Sequence, residues 1–420
     1  MTLIMRGQLR FAAVSVVAIV GALASARGAA ADPAPPFKDL LAQAQANAPR
    51  LAEAAAGVRQ AEGLARQAGA RPNPTVGMEI ENFSGSGVYS GANNAETTFS
   101  LSQPLEVGGK RGARVAAGRA ALDAARARLV QSKADFAFAL ADAYAQAEAA
   151  ERRVALAEEA VTLSDETLRA SRALVDAGKE AELRTLQAQA ALTGARASLE
   201  EARAERTGAF SRLTALVGST TPYTSLSDSL LTNPKVTSQP GDIDALSTPA
   251  VLAAEADREA AARRVRIERT RAVPDVTVSA GVRRFSGDDS TALVAGVSLP
   301  IPVFDQNRGN ITAAQGELQA AEARLNAARF DAEADIRTAR FQLGAAQSRA
   351  DAAGQGETSA AEAFRLTRIA YESGKAPLVE LINARRSLAE ARDQTIQAQL
   401  ARVRAEADLA RLQGRLFGDR

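Results

Sequence analysis

Cysteine and histidine are both absent from the 420 residues. Disulfides, thiol nucleophiles, Ser-His triads, imidazole bases and every usual soft or borderline metal site are removed together. Met78 is the only methionine beyond residue 5, so thioether ligation is no substitute. The groups left to act on an ion are carboxylates such as Glu79 and Glu81. Their pull reaches across space, is screened by salt and needs no coordination. The chain reads as no enzyme, with no cofactor and no metal centre. Lys and Arg number 51 against 49 Asp and Glu, a formal charge of +2, which offers no basic face to nucleic acid.

What must position those carboxylates is a long pattern that occurs twice. Val115, Leu122 and Leu129 fall seven apart, Leu140 follows after a shift, and Val154, Val161, Leu168 and Val175 continue at seven. At an offset of 196 most of these return as Ile311, Leu318, Leu325, Ile336, Phe364 and Tyr371. At the same offset Gly178-Lys179 returns as Gly374-Lys375, and Ala195-Arg196 as Ala391-Arg392. This is a tandem duplication of a very long helical hairpin.

Between Gly112 and Asp176 there is no proline, and strong helix formers dominate. At 1.5 Å rise per residue that stretch predicts a rod of roughly 100 Å. The matching segment, Gly309 to Glu372, is proline-free too. A seven-residue apolar repeat keeps one stripe facing a neighbouring helix, and the four-residue step from Phe136 to Leu140 locally relaxes the supercoil. Each rod ends in a tight turn, Asp176-Ala177-Gly178-Lys179 and Glu372-Ser373-Gly374-Lys375, where glycine can take the left-handed conformation that terminates a helix. Return helices are expected over roughly Glu180 to Leu216 and Pro377 to Phe417, and shorter helices over about Phe37 to Gly69 and Pro249 to Arg271. Gly218 to Thr248, rich in Ser, Thr, Pro and Asp, reads as an irregular connector on the outside of the rods.

Residues 1–31 read as a secretory leader. Arg6 and Arg10 form a basic start, Phe11 to Ala24 an apolar stretch shorter than the roughly 20 residues a spanning helix needs, and Ala29-Ala30-Ala31 a small-residue cleavage site. Without cysteine, acylation of the mature N-terminus is excluded. The expected organisation is a leader at 1–31, a first repeat at 32–217, the connector at 218–248 and a second repeat at 249–420, both repeats forming one integrated protomer.

Upstream of each long helix lies a pair of strand candidates. Val76, Met78 and Ile80 alternate with Thr75, Gly77, Glu79 and Glu81; Phe99 and Leu101 alternate with Thr98, Ser100 and Ser102. In the second copy Val276, Val278, Ala280 and Val282 alternate with polar or small neighbours, as do Leu293, Ala295, Val297 and Leu299. Runs of about ten residues suit tilted strands crossing a bilayer. A half-buried soluble sheet would show the same period of two, but no amphipathic helix of ordinary length is available to cover these faces. Two hairpins are too few strands to close a barrel, whereas three chains of four strands make twelve.

Helix, strand pair, long helix, glycine turn and return helix, duplicated behind a leader, resembles the outer-membrane factor (TolC-type) family over essentially the whole mature chain. The most specific local matches are Leu101 to Arg111 (LSQPLEVGGKR) and Leu299 to Asn310 (LPIPVFDQNRGN), where strand hands over to helix. Pro104, Gly109, Arg111, Pro300, Pro302, Arg308 and Gly309 mark these junctions, and the prolines and glycines suit the change of direction. Both stretches are most similar to the branch serving heavy-metal (cobalt, zinc, cadmium type) efflux.

The resemblance implies a mainly α fold with membrane β: a homotrimer with a twelve-stranded barrel in outer-membrane lipid, continued by a helical tunnel through the periplasm. It implies a passive conduit that works with a periplasmic adaptor and an inner-membrane pump of RND type. It also implies that Gly178, Lys179, Gly374 and Lys375 form the tip that meets the adaptor. Glu380 falls where the family carries the first acidic residue of its closed end, and Asn383 stands where a second acid often lies, which predicts a weaker anionic constriction; a solvated helix-face carboxylate is the competing reading of Glu380. Drug efflux and type I secretion stay open as alternatives. A periplasmic coiled-coil adaptor is disfavoured because it would pair one hairpin with domains of short strands. A metal-binding periplasmic protein is disfavoured by the missing ligands, and equilibrium dialysis with zinc or copper would test it.

Overall fold

A computed structural model describes residues 33–232 and 243–417; the expected leader lies outside them. The order of elements is α1 (Phe37–Asn47), α2 (Pro49–Ala68), β1 (Thr75–Glu81), β2 (Glu96–Leu105), α3 (Lys110–Asp176), α4 (Leu183–Val217), α5 (Pro249–Arg271), β3 (Val276–Phe285), β4 (Thr291–Ser298), α6 (Arg308–Glu372) and α7 (Leu378–Leu412). Helices α3 and α6 run 67 and 65 residues without a break, as the absence of proline predicts. The single helix expected over Phe37 to Gly69 is two. Pro49 has no N–H to donate and holds Ala48 extended, at φ −65° and ψ 125°, so α1 stops and α2 starts afresh.

The chain packs as two compact units, and neither coincides with one repeat. Of the described residues, one takes 33–44, 142–232 and 350–403; the other takes 45–141, 243–349 and 404–417.

The second of these units holds the sheet and the helix segments that lead from it. Its helices meet through small residues. Ala120 and Ala124 of α3 bury against Ala260 of α5, and a Cβ placed on Gly118 would sit 3.1 Å from the Ala65 backbone. Alanine seams let backbones approach closely, and each methyl group contributes on the order of 1 kcal/mol when buried. Val115, Leu122 and Leu129, the large residues of the seven-residue repeat, are only half-buried here. In α6 only Leu325 and Ile336 of the expected repeat are buried, while Ile311, Leu318, Phe364 and Tyr371 are half-buried; the buried line runs instead through Ala332, Ala339, Leu343 and Ala346. Leu409 and Leu412 of α7 close that cluster, joined by Ile243 and Ala245 from the end of the connector.

The other unit holds the two glycine turns and the rest of the connector. Leu168 of α3 packs on Ala188 and Leu192 of α4, which zips the first hairpin. Phe37 stacks edge-on against Tyr144 at 5.8 Å, and burial pushes the Tyr144 hydroxyl up to about 12. The connector is irregular but not loose. It pairs with the segment just before α1 through Ala34 and Leu226, and it buries Leu231 completely.

Candidate functional site

The four strands form one antiparallel sheet in the order β1-β2-β3-β4. Its register puts Val76, Leu101, Ala280 and Ala295 in one row and Met78, Phe99, Val282 and Leu293 in the next. That face is apolar, and no described residue covers it: Leu293 is 88% exposed and Val297 76%. The opposite face carries Thr75, Ser100, Ser102 and Ser279, with Glu79, Glu81, Glu96 and Arg283 gathered at the hairpin-loop end. Strands β1 and β4 are edges without partners among the described residues. An uncovered apolar face bounded by a free edge on each side is the chemistry of a barrel wall waiting for its neighbours.

The two carboxylates singled out from the sequence differ in their surroundings. Glu79 lies in the row of Thr98 and Arg283. Glu81 stands directly opposite Glu96 across the β1–β2 pair, and Arg283 makes ion pairs with both, at 2.7 and 2.9 Å. Glu81 is therefore a neutralised group and not the free carboxylate its sequence position suggests. Neither Glu96 nor Arg283 stands out as functional in the sequence, because their meeting depends on pairing strands 185 or more residues apart.

At the first strand-to-helix junction Pro104 lies inside β2, opposite Thr277, two residues past the point where β1 pairing ends. One flank of β2 is free there, so the missing N–H of proline costs no ladder bond. The turn itself is made by Gly108 and Gly109, at φ +70° and +76°. Arg111 donates from Nε to the Gly69 carbonyl at 2.9 Å, Lys110 pairs with Asp275 at 2.7 Å, and Arg114 pairs with Glu106. This lattice ties the start of α3 to the ends of α2 and α5. A Cβ on Gly108 would lie 2.9 Å from Cβ of Val273, whereas one on Gly109 would meet nothing within 4 Å. Gly108→Ala is thus expected to cost about 1 kcal/mol more than Gly109→Ala, since both carry the strain of a left-handed backbone and only one adds a clash. Thermal melting of the two variants checks this; equal losses would refute it.

At the second junction Pro300 and Pro302 lie in an exposed irregular stretch, tightened at Pro302 by the Val303 N–H donating to the Ile301 carbonyl at 2.9 Å, and Arg308 and Gly309 already belong to α6. The left-handed residue is Asn307, at φ +57°; its backbone N–H donates to Asp305 at 2.8 Å and its amide to the Glu268 carbonyl at 2.7 Å. Asparagine tolerates that conformation better than other side chains, and the Asp-Gln-Asn spacing is the signal that could have located it.

The two glycine turns are built alike. Gly178 and Gly374 sit at φ +66° and +75°. Lys179 N–H returns to the Leu174 carbonyl and Gly178 N–H to Val175, both at 2.9 Å; Lys375 returns to Ala370 at 2.8 Å and Gly374 to Tyr371 at 2.9 Å. These are paired Schellman closures, which satisfy the last helical carbonyls. Glu380 is exposed in the first turn of α7, where the positive end of the helix dipole favours a carboxylate, and it makes no ion pair with a described residue. Asn383 is exposed as well. Between α3, α4 and α7 runs a groove of about 460 Å³ bordered by Arg184, Arg385 and Arg386. Arg385 donates to the Ala160 carbonyl at 2.9 Å, and burial lowers its guanidinium from the ordinary value.

Two long stretches, residues 40–219 and 245–415, match the family model described as outer membrane efflux protein. The chain is 45% identical over 384 residues to the nickel-cobalt-cadmium resistance protein NccC of Alcaligenes xylosoxydans xylosoxydans, covering 91% of this chain and 87% of that one. It is 47% identical over 384 residues to the nickel and cobalt resistance protein CnrC of Cupriavidus metallidurans, covering 91% of each. Among solved structures, the open state of the MtrE outer membrane channel of Neisseria gonorrhoeae aligns with a TM-score of 0.74 at 21% identity, over 92% of this chain and 90% of that one.

Proposed function

We propose, for a chain that belongs to the outer membrane efflux protein family, the role of a passive trimeric duct that carries divalent heavy-metal cations from the periplasm to the exterior. The family places it in the outer membrane with an extension into the periplasm, as a conduit and not an enzyme. The observation that carries the metal reading is the 45–47% identity to NccC and CnrC over nine tenths of this chain, both named for nickel and cobalt resistance. A strain lacking this gene but keeping its neighbouring pump should lose resistance to nickel or cobalt. If sensitivity to drugs rises instead, the metal reading falls and the drug-efflux alternative takes its place.

A homotrimer is supported by the free edges of β1 and β4, by the uncovered apolar sheet face, and by Phe330 and Phe341, both largely exposed and three helical turns apart on α6. Each repeat then supplies one strand pair and one long hairpin, and three protomers give twelve strands. An adaptor protein and an inner-membrane pump of RND type complete the route. A duct without thiol or imidazole releases what passes through it, because no side chain here forms a strong bond to a borderline metal.

The tip turns at Gly178-Lys179 and Gly374-Lys375 are the proposed adaptor contacts, and Glu380 the proposed constriction. What supports this is an exposed, unpaired carboxylate just beyond a glycine that tolerates a hinge motion. Three copies of Glu380 near a threefold axis would repel one another and draw in cations. In planar bilayers Glu380→Gln is expected to lower cation selectivity about two-fold or more at low salt. Unchanged selectivity would return Glu380 to the role of a solvated surface group. Cysteines at positions 179 and 375 in this Cys-free chain should, once crosslinked, stop efflux while leaving trimers intact.

A further inference from the structure

Among the described residues Arg283 is the one cationic side chain on the polar face of the sheet, and it sits at the end where the strands meet the hairpin loops. Three contacts hold it flat against that wall. Its two terminal nitrogens lie 2.7 Å from Glu81 and 2.9 Å from Glu96, and its Nε donates to the Thr98 hydroxyl at 2.9 Å. Asn82 adds a further donor to Glu96 at 3.1 Å. Glu81 and Glu96 are a directly opposed cross-strand pair, so without Arg283 two like charges would face each other, an arrangement that destabilises a sheet. A planar guanidinium suits this seat because its fork of donors can serve two carboxylates at once.

A neutral residue could have filled the position if the wall needed only packing. Instead, the chain places two carboxylates where they could bridge a divalent cation and then fills the gap with a tethered cation of its own. We infer that Arg283 is a resident counter-cation at the outer mouth of the duct: it sets how anionic the exit is and keeps departing divalent cations from lodging between Glu81 and Glu96. This rests on the reading of the chain as a cation duct. With Arg283 present, Glu79, Glu81 and Glu96 leave two net negative charges per chain at this mouth; without it they leave three.

The test measures single-channel currents in planar bilayers, with Glu380→Gln as the common background so that the tip contributes equally throughout. Arg283→Gln should raise the potassium-to-chloride permeability ratio about two-fold at low salt, where the field of such charges is least screened. Nickel added on the exterior side should then block the current at concentrations that leave the parent open. Arg283→Lys should keep the permeability ratio of the parent. Arg283→Gln combined with Glu81→Gln restores two net charges and breaks the carboxylate pair, so both properties should return to those of the parent. If Arg283→Gln does not assemble, Glu81→Gln with Glu96→Gln on the native arginine gives the opposite arm and should lower the ratio. Parent-like selectivity and no nickel block in the assembled variants would overturn the inference. A parent protein that opens no pore at all would instead overturn the duct reading, which is a separate result.

Discussion

Val278→Arg is expected to prevent stable insertion in the outer membrane, while Ser279→Arg, one residue along the same strand, assembles as the parent does. Val278 pairs with Gln103 and Val297 on the apolar face, and Ser279 pairs with Ser102 and Gly296 on the polar face. A charged side chain facing lipid costs about 2 to 4 kcal/mol at the midplane of a barrel strand and less toward the interfaces, and Val278 lies in the third of the ten β2–β3 rows, on the helix side of the middle. The proposed trimer would carry three copies, so the total is at most about 6 to 12 kcal/mol, comparable with the whole stability of an ordinary domain. On the polar face the guanidinium stays in water, and the neighbouring Gly296 leaves room for it. The experiment compares heat-resistant trimers in outer-membrane fractions for both variants. Loss of Ser279→Arg with retention of Val278→Arg would show that the two faces are assigned the wrong way round, and equal yields that the sheet is not a barrel wall.

That contrast is legible in the sequence alone, because a period of two needs only local residues and the chain offers nothing of ordinary length to cover the apolar side. The long helices are legible for a similar reason: proline is absent and the glycine-lysine turns recur at a fixed offset. What stays hidden depends on which segments meet. The seven-residue stripe of α3 points to Val115, Leu122 and Leu129 as the seam, yet the buried line is Ala113, Ala117, Ala120 and Ala124. Alanine carries too little apolar surface to stand out in a periodicity, but it is the residue that lets α3 and α5 approach closely. At the first junction Gly108 and Gly109 look equivalent in sequence, and only the position of Val273 separates them. Glu81 resembles a free lumen charge because Arg283 lies some two hundred residues away. Local pattern thus reveals elements and faces, and it leaves undetermined the partners that decide what a charge or a small residue does.

Glu148 is the sharpest case of such a hidden partner, and it carries the largest single-site effect expected on the stability of one chain. Midway along α3 it reads as an ordinary helix carboxylate, with Arg152 one turn on. In the fold its side chain is only 7% exposed and closes the connector onto the helix. One oxygen accepts from the backbone N–H groups of Leu230 and Leu231, at 2.8 and 3.1 Å; the other accepts from the Ser229 hydroxyl and from Arg152, both at 2.6 Å. Tyr144, one turn earlier, donates to the Asp228 carbonyl at 2.9 Å, and Arg402 donates to the Leu231 carbonyl at 2.9 Å. One carboxylate therefore satisfies two buried donors of a segment that has no ladder of its own. Glu148→Ala strands both N–H groups, at about 1 to 3 kcal/mol each, and leaves Arg152 without its anion. The expected loss is about 3 to 5 kcal/mol, the range for breaking a buried charge pair from one side. Glu148→Gln keeps one acceptor for the two backbone N–H groups but replaces the other oxygen with an NH2 that cannot accept from Arg152 or Ser229, so it should lose less than Glu148→Ala and more than Tyr144→Phe. Because the proposed trimer would not unfold in two states, the measurement is the rate of proteolysis in the connector together with the thermal midpoint. Glu148→Ala should be cut near residues 228–232 faster than the parent, and Tyr144→Phe, which removes one hydrogen bond and no charge, only slightly faster. Parent-like resistance in Glu148→Ala would mean that the connector is held by the burial of Leu231 alone, and the carboxylate would then be an accessory to packing.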